Sequence, residues 1–169
     1  AWVSEQERFE NSVDIYAQIF NASGTKAGNE ILINSSTNVC ANPSLVPTTT
    51  GGFIVAWSEK DLTSATTNSW DVYARAFGSM GTASGDSVRL NQFEFGDQFG
   101  PQLAIIGSDV AAVWTSMNQD GSREGVVGRF FSSTLTPYGD EFVVNTTTVG
   151  PQIHPVVAAD GQARFLFVW

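Results

Sequence analysis

Four aromatic rings, Trp70, Phe93, Phe95 and Phe99, fall within a span of 30 residues. Flat apolar rings of this kind stack on the C–H faces of sugars, so they mark a candidate ligand site for a glycan. A second candidate is the loop Asn118-Gln119-Asp120-Gly121-Ser122. There the oxygens of Asn118, Asp120 and Ser122 flank a glycine turn, as ligands of a hard cation do. The loop stops short of a full Asp-x-Asp-x-Asp-Gly run, and the equivalent loops 4–11 and 59–69 differ from it in length and composition. A plain polar turn is the preferred reading, and no cofactor is expected unless this loop takes calcium.

Catalysis finds little support in the residue pattern. The one histidine, His154, directly precedes Pro155, and no Gly-x-Ser-x-Gly nucleophile elbow occurs. Asp140 and Glu141 could serve glycoside hydrolysis, but adjacent residues on a strand point to opposite faces. The sequence therefore predicts a chain that is not an enzyme. Cys40 is the one cysteine; a partly buried free thiol is the preferred reading, and half of an interchain disulfide is the other. Asn21, Asn34 and Asn145 each open an Asn-x-Ser/Thr sequon, the acceptor for glycosylation in a secreted glycoprotein. For Asn34 and Asn145 a turn-forming role is preferred, because both occupy a repeated position.

That repeat organises the whole chain. Trp2, Trp57, Trp114 and Trp169 recur at intervals of 55, 57 and 55 residues, and each of the last three closes an apolar run such as Phe53-Ile54-Val55-Ala56-Trp57. The stretch Asp14-Ile15-Tyr16-Ala17-Gln18-Ile19-Phe20 matches Asp71-Val72-Tyr73-Ala74-Arg75-Ala76-Phe77, with Gly125-Val126-Val127-Gly128-Arg129-Phe130-Phe131 as the third copy. Phe20, Phe77 and Phe131 thus join the four tryptophans as the expected repeat core. Asn34, Asn91 and Asn145 close the next apolar stretch, and Pro43, Pro101 and Pro155 open the one after. Gly24 with Gly28 and Gly81 with Gly85 also recur, whereas the third copy keeps only Gly139. The aromatics of the candidate ligand site stand outside this register and have no counterparts in all three copies.

Residues 1–169 read as a single repeat domain with units 3–57, 58–114 and 115–169. Each unit predicts four short antiparallel strands, placed in the third copy at 126–131, 141–145, 155–159 and 164–169. No window carries the i, i+3, i+4, i+7 pattern of a core helix. The fold class is all-β and β-propeller-like, with each tryptophan packed between adjacent sheets. Blades starting at the proline strands span 43–91 and 101–145, so broken blades are expected at both termini: 13–36 supplies the last two strands of one, and 155–169 the first two of another. Unpaired blade edges invite association, as a ring of two chains, a filament, or part of a larger parent chain.

From Trp114 through Gly125-Val126-Val127-Gly128-Arg129-Phe130-Phe131 to Asn145 and Pro155, the third copy resembles the Trp-, Asn- and Pro-marked repeats of large secreted or surface-exposed bacterial proteins. Such repeats stand beside calcium-binding nonapeptide repeats in RTX-type adhesins. The resemblance implies an extracellular, propeller-like or adhesive role and no defined catalytic residues. It covers all three units, but Cys40 stands where later copies have Gln98 and Gln152, and the nonapeptide repeats are absent.

Composition points the same way. Seventeen acidic and 8 basic residues give a net charge of −9 and a pI near 4.3. That disfavours nucleic acid, whose phosphates need clustered Lys and Arg. No apolar run approaches the ~20 residues of a spanning helix, so no membrane insertion is expected. The expected function is an extracellular or cell-surface structural and adhesive protein that self-assembles or binds a partner through strand edges. The alternative is a carbohydrate-binding, lectin-like propeller.

Overall fold

The structure is a computed structural model that describes residues 1–6, 8–60 and 70–169. Thirteen strands form four separate antiparallel sheets among these residues. The first sheet holds β1 (Trp2–Ser4), β2 (Asp14–Phe20) and β3 (Lys26–Leu32). The second holds β4 (Val39–Pro47), β5 (Phe53–Lys60), β6 (Trp70–Phe77) and β7 (Val88–Arg89). The third repeats it with β8 (Gln98–Ile106), β9 (Asp109–Met117), β10 (Glu124–Ser132) and β11 (Phe142–Val143). The fourth has β12 (Val156–Ala159) and β13 (Phe165–Val168). Strands follow chain order within each sheet, the meander of a propeller blade, and the sheets stack in sequence without closing into a ring.

The uninterrupted apolar runs have a simple cause. On β5, Val55 and Trp57 pack with Ile15, Ala17 and Ile33 of the first sheet, while Ile54 and Ala56 pack with Leu103, Val110 and Trp114 of the third. A strand covered on both faces has no solvent side, so polar alternation disappears. Trp57 and Trp114 are fully buried in these two inter-sheet cores, together with Phe77 and Phe131. Three other expected core residues are not buried. Trp2 is 39% exposed, Phe20 57% and Trp169 50%. All three belong to the first and last sheets, each of which has a neighbouring sheet on one side only.

The expected strand count at the beginning of the chain is also corrected. Trp2 pairs with Tyr16 as Trp57 pairs with Tyr73, so β1 is the second strand of its blade and the first sheet has three strands. β13, which ends at Val168 next to Trp169, holds that same second position in the last sheet. The two partial sheets therefore hold five strands with one position duplicated, and they do not sum to one four-stranded blade.

Two polar devices tie neighbouring blades, and both are present between the second and third. The Arg75 guanidinium donates to the carbonyls of Gly85 and, across the interface, Ile33 (2.7 and 3.2 Å). Arg129 does the same to Gly139 and Leu90 (2.8 and 3.0 Å). At the inner strands, Asn42, Gly100 and His154 all take a positive φ, of 53°, 65° and 56°, just before the repeated prolines. The freed amide of Gly100 donates to Ser58 Oγ at 2.9 Å, and that of His154 to Thr115 Oγ1 at 3.3 Å, each in the preceding blade. His154 is thus an exposed turn residue in a slot shared with asparagine and glycine.

Candidate functional site

The connections from one blade's outer strand to the next blade's inner strand are built by the repeated asparagines. Asn91 Oδ1 accepts from the Val72 amide at 3.0 Å, while its Nδ2 donates to Asp71, to the Phe93 carbonyl and to Gln98 Oε1. Gln98 Nε2 then donates to the carbonyls of Phe95 and Gly96 at 3.1 and 3.2 Å. Asn145 and Gln152 reproduce this arrangement with Val126, Thr147, Val149 and Gly150. A buried amide that satisfies a strand N–H and a loop carbonyl together sets the loop's shape without help from solvent.

The loop carrying Phe93 and Phe95 has one more support. Glu141 of the third blade accepts from the backbone amides of Gln92 and Phe93, both at 2.8 Å, and from Gln119. Asp140 accepts from Gln92 Nε2 at 3.0 Å. The expectation that these neighbouring carboxylates diverge on a strand is corrected: they precede β11, and both reach the same residue of the second blade. On the same loop, Glu94 pairs with Arg89, whose cation holds the Glu94 carboxyl below the usual carboxylate range.

Trp70, Phe93, Phe95 and Phe99 all lie at this end of the sheets. Phe95 is 55% exposed and the other three are half-buried. They share an end rather than a stack, since no ring contact joins the four among the described residues. Trp70 is the first residue of β6 and pairs with Lys60. Counted from the buried asparagine, Val149 stands at the place of Phe95 and Ile153 at that of Phe99, with exposures of 87% and 39%. Phe95 and Phe99 thus have apolar counterparts in the next connection, while Phe93 is matched by Thr147, a likeness hidden in the sequence by the change of residue type.

The remaining candidates resolve into structural positions. Asn34 and Asn145 are buried, and both side-chain ends are bonded, so neither is an accessible glycan acceptor; this corrects their reading as glycosylation sites. Asn21 is exposed in a turn, its Nδ2 donating to Thr25 Oγ1 at 3.2 Å. Asp120 turns inward, accepting from Asn145 Nδ2 at 2.8 Å and from the Ser122 amide at 3.1 Å, while Asn118 sits at φ 63° as a turn residue. Among the described residues no group of three or more His, Cys, Asp and Glu side chains could hold a metal ion. Residues 61–69 of the equivalent loop 59–69 lie outside the described residues.

Cys40 is fully buried, which removes it as an interchain disulfide partner. Its neighbour Glu59 accepts from Trp57 Nε1 at 2.8 Å, from Asn38 Nδ2 at 2.9 Å and from the Cys40 thiol at 3.7 Å. Burial pushes that thiol far above its ordinary pKa, and the charge of Glu59 adds to the shift. Among the described residues no helix is long and apolar enough to cross a membrane.

No family model matches the chain, and no curated protein does. Among solved structures, the chain is similar to an α-L-arabinanase of Penicillium chrysogenum complexed with arabinobiose, at a TM-score of 0.65 and 12% identity over 92% of this chain. It is also similar to an endo-arabinase of Bacteroides thetaiotaomicron, at a TM-score of 0.52 and 14% identity over 98% of this chain. The chain spans about half the length of the first (49%) and 67% of the second. These likenesses support a β-propeller-like fold. They also correct the expectation of a chain that is not an enzyme, because both of these structures are enzymes acting in carbohydrate chemistry.

Proposed function

We propose that this chain is part of a carbohydrate-active β-propeller that takes an arabinan-type polysaccharide at the end of the sheets carrying Trp70, Phe93, Phe95 and Phe99. The observation that carries the proposal is the likeness to the arabinanase across 92% of the chain. The aromatic connection supports it by giving sugar rings a place to stack, on a loop held by Asn91, Gln98 and Glu141 rather than free in solvent. An acidic chain without a basic stripe suits a neutral polymer better than a polyanion. Such work on a polysaccharide supports a location outside the cell or at its surface. Affinity electrophoresis through gels containing arabinan tests the proposal: retardation is expected, reduced by Phe95→Ala, and unchanged mobility contradicts it. Release of reducing ends from the same polymer reads out hydrolysis.

A second reading, association through blade faces, is favoured by one observation. Trp2 and Phe20 on the first sheet, and Leu166 and Val168 on the last, are 39–65% exposed, although their repeat counterparts Trp57, Phe77, Ile54 and Val113 are buried. A further blade, from a longer chain or a second copy, would cover these faces. Sedimentation of the protein at rising concentration tests the second copy, with a growing particle expected and a constant monomer contradicting it.

A further inference from the structure

A cavity of about 280 Å³ opens between the second and third blades, at the hairpin end of the sheets opposite the aromatic connection. We infer that it is a second binding site, shaped for one neutral sugar ring.

The cavity exists because one interface is packed differently from the other. Between the first and second blades, Ile19 and Ile31 fill the corresponding space, and a β-carbon on Gly81 would lie 2.2 Å from Ile31 Cδ1 and 3.7 Å from Ile19 Cδ1. One repeat later, Ala76 and Val88 stand at the positions of Ile19 and Ile31, and Leu135 at that of Gly81. Leu135 takes a φ of 64°, a left-handed conformation that leucine rarely adopts, and its side chain is 5% exposed in the core with Ala76 and Val88 against it. Two shortened side chains open the space, and the leucine, in place of glycine, floors it.

The lining has the chemistry of a sugar site. Hydroxyls of Thr48, Ser84 and Thr134 and the carboxylate of Asp86 stand around the apolar floor. In the first blade, Ala27 and Asn29 occupy the places of Ser84 and Asp86, so the interface between the first and second blades lacks both the hydroxyl and the charge. Asp86 is exposed and has no hydrogen bond or ion pair among the described residues. An ionised carboxylate is an acceptor only and calls for hydroxyl donors, which vicinal sugar hydroxyls supply, while the C–H face of a ring meets the apolar side chains of Ala76, Val88 and Leu135. No Lys or Arg lines the cavity, so an anion finds no counter-charge. Its volume falls below the roughly 300–1,000 Å³ of sites for drug-sized ligands, which suits one ring rather than a chain of them.

The probe is L-arabinose, titrated into the ¹⁵N-labelled protein while backbone amide shifts are followed. Saturable shifts are expected at Ser84, Asp86, Ser133 and Thr134. The triple variant Ala76→Ile, Val88→Ile, Leu135→Gly rebuilds the packing of the first interface and should abolish them. Asp86→Asn, an exposed change with no packing consequence, should weaken the apparent affinity at least several-fold. Shifts around Phe95 report the aromatic site separately, so failure of one site is distinguishable from failure of the other. Absence of saturable shifts at these four amides overturns the inference. So does their survival in a folded triple variant, or an affinity unchanged by Asp86→Asn.

Discussion

Asp120 occupies the space that a side chain on Gly125 would fill: a β-carbon built on Gly125 comes within 2.8 Å of the Asp120 carboxylate. In the first two blades the strand itself supplies that carboxylate, as Asp14 and Asp71, which accept from Asn34 and Asn91. In the third blade the strand position is glycine, and the loop returns an aspartate to the same amide at 2.8 Å. The residue that reads as a cation ligand in the sequence is thus a relocated piece of the repeat. Asp120→Ala should cost about 1.5–3 kcal/mol by leaving the buried Asn145 amide a charged partner short. Adding Gly125→Asp should restore most of that loss. Thermal denaturation of the single and double variants checks this, and a further loss in the double variant would count against it.

The same comparison shows what the sequence made legible. Tryptophan, asparagine and proline slots could be read directly, because each performs one structural task in every blade. β1 escaped because it is three residues long, too short for an alternation pattern. The substitution of Leu135 for glycine escaped because its compensation lies at Ala76 and Val88, about 60 and 47 residues away and meaningful only across an interface. The support of the aromatic loop by Glu141 was hidden for the same reason: its partners are in another blade. Local pattern reports a strand's own faces and is silent about which neighbour fills them.

Arg129 and Arg75 should prove to be inter-blade ties. Arg129→Ala removes donors to the Gly139 and Leu90 carbonyls and exposes the Phe131 ring beneath the guanidinium, whose carbon lies 5.3 Å from the ring centroid. A loss of about 1–3 kcal/mol is expected, or roughly 2–10 °C in Tm for a chain of this size. Arg129→Lys should recover only part of it, because an ammonium cannot reproduce the planar fork. Full recovery with lysine would show that charge alone is at work.

Acid should loosen the first sheet through Asp14. Burial raises this carboxyl, but the hydrogen bonds from Arg8 and Asn34 and the Arg8 charge outweigh burial and hold it below its ordinary value. A carboxyl depressed in the folded state contributes stability above its unfolded pKa, near 4, and that contribution is lost as pH falls through the lower folded value. The stability difference between the native protein and Arg8→Ala should therefore be fully present above about pH 5 and shrink on acidification. Denaturant titrations between pH 7 and pH 2 measure it. A difference that is independent of pH would remove Asp14 from this role.

Cys40 should behave as a buried thiol. With its pKa raised by burial and by Glu59, it stays protonated at pH 8. Reaction with a disulfide reagent should be slow in the native protein and fast in denaturant, and non-reducing electrophoresis should show no cross-linked species. Rapid native labelling would contradict the burial of this side chain.

Calorimetric titration of arabinan oligosaccharides into the protein tests the sugar site most directly. Saturable binding is expected, weakened about two- to tenfold by Phe95→Ala, since an aromatic contact contributes about 0.5–1.5 kcal/mol. Glu141→Ala should weaken it as well, by freeing the loop that presents Phe93 and Phe95. No heat of binding for any arabinan oligosaccharide, or binding indifferent to both substitutions, would contradict a carbohydrate site at this end of the sheets.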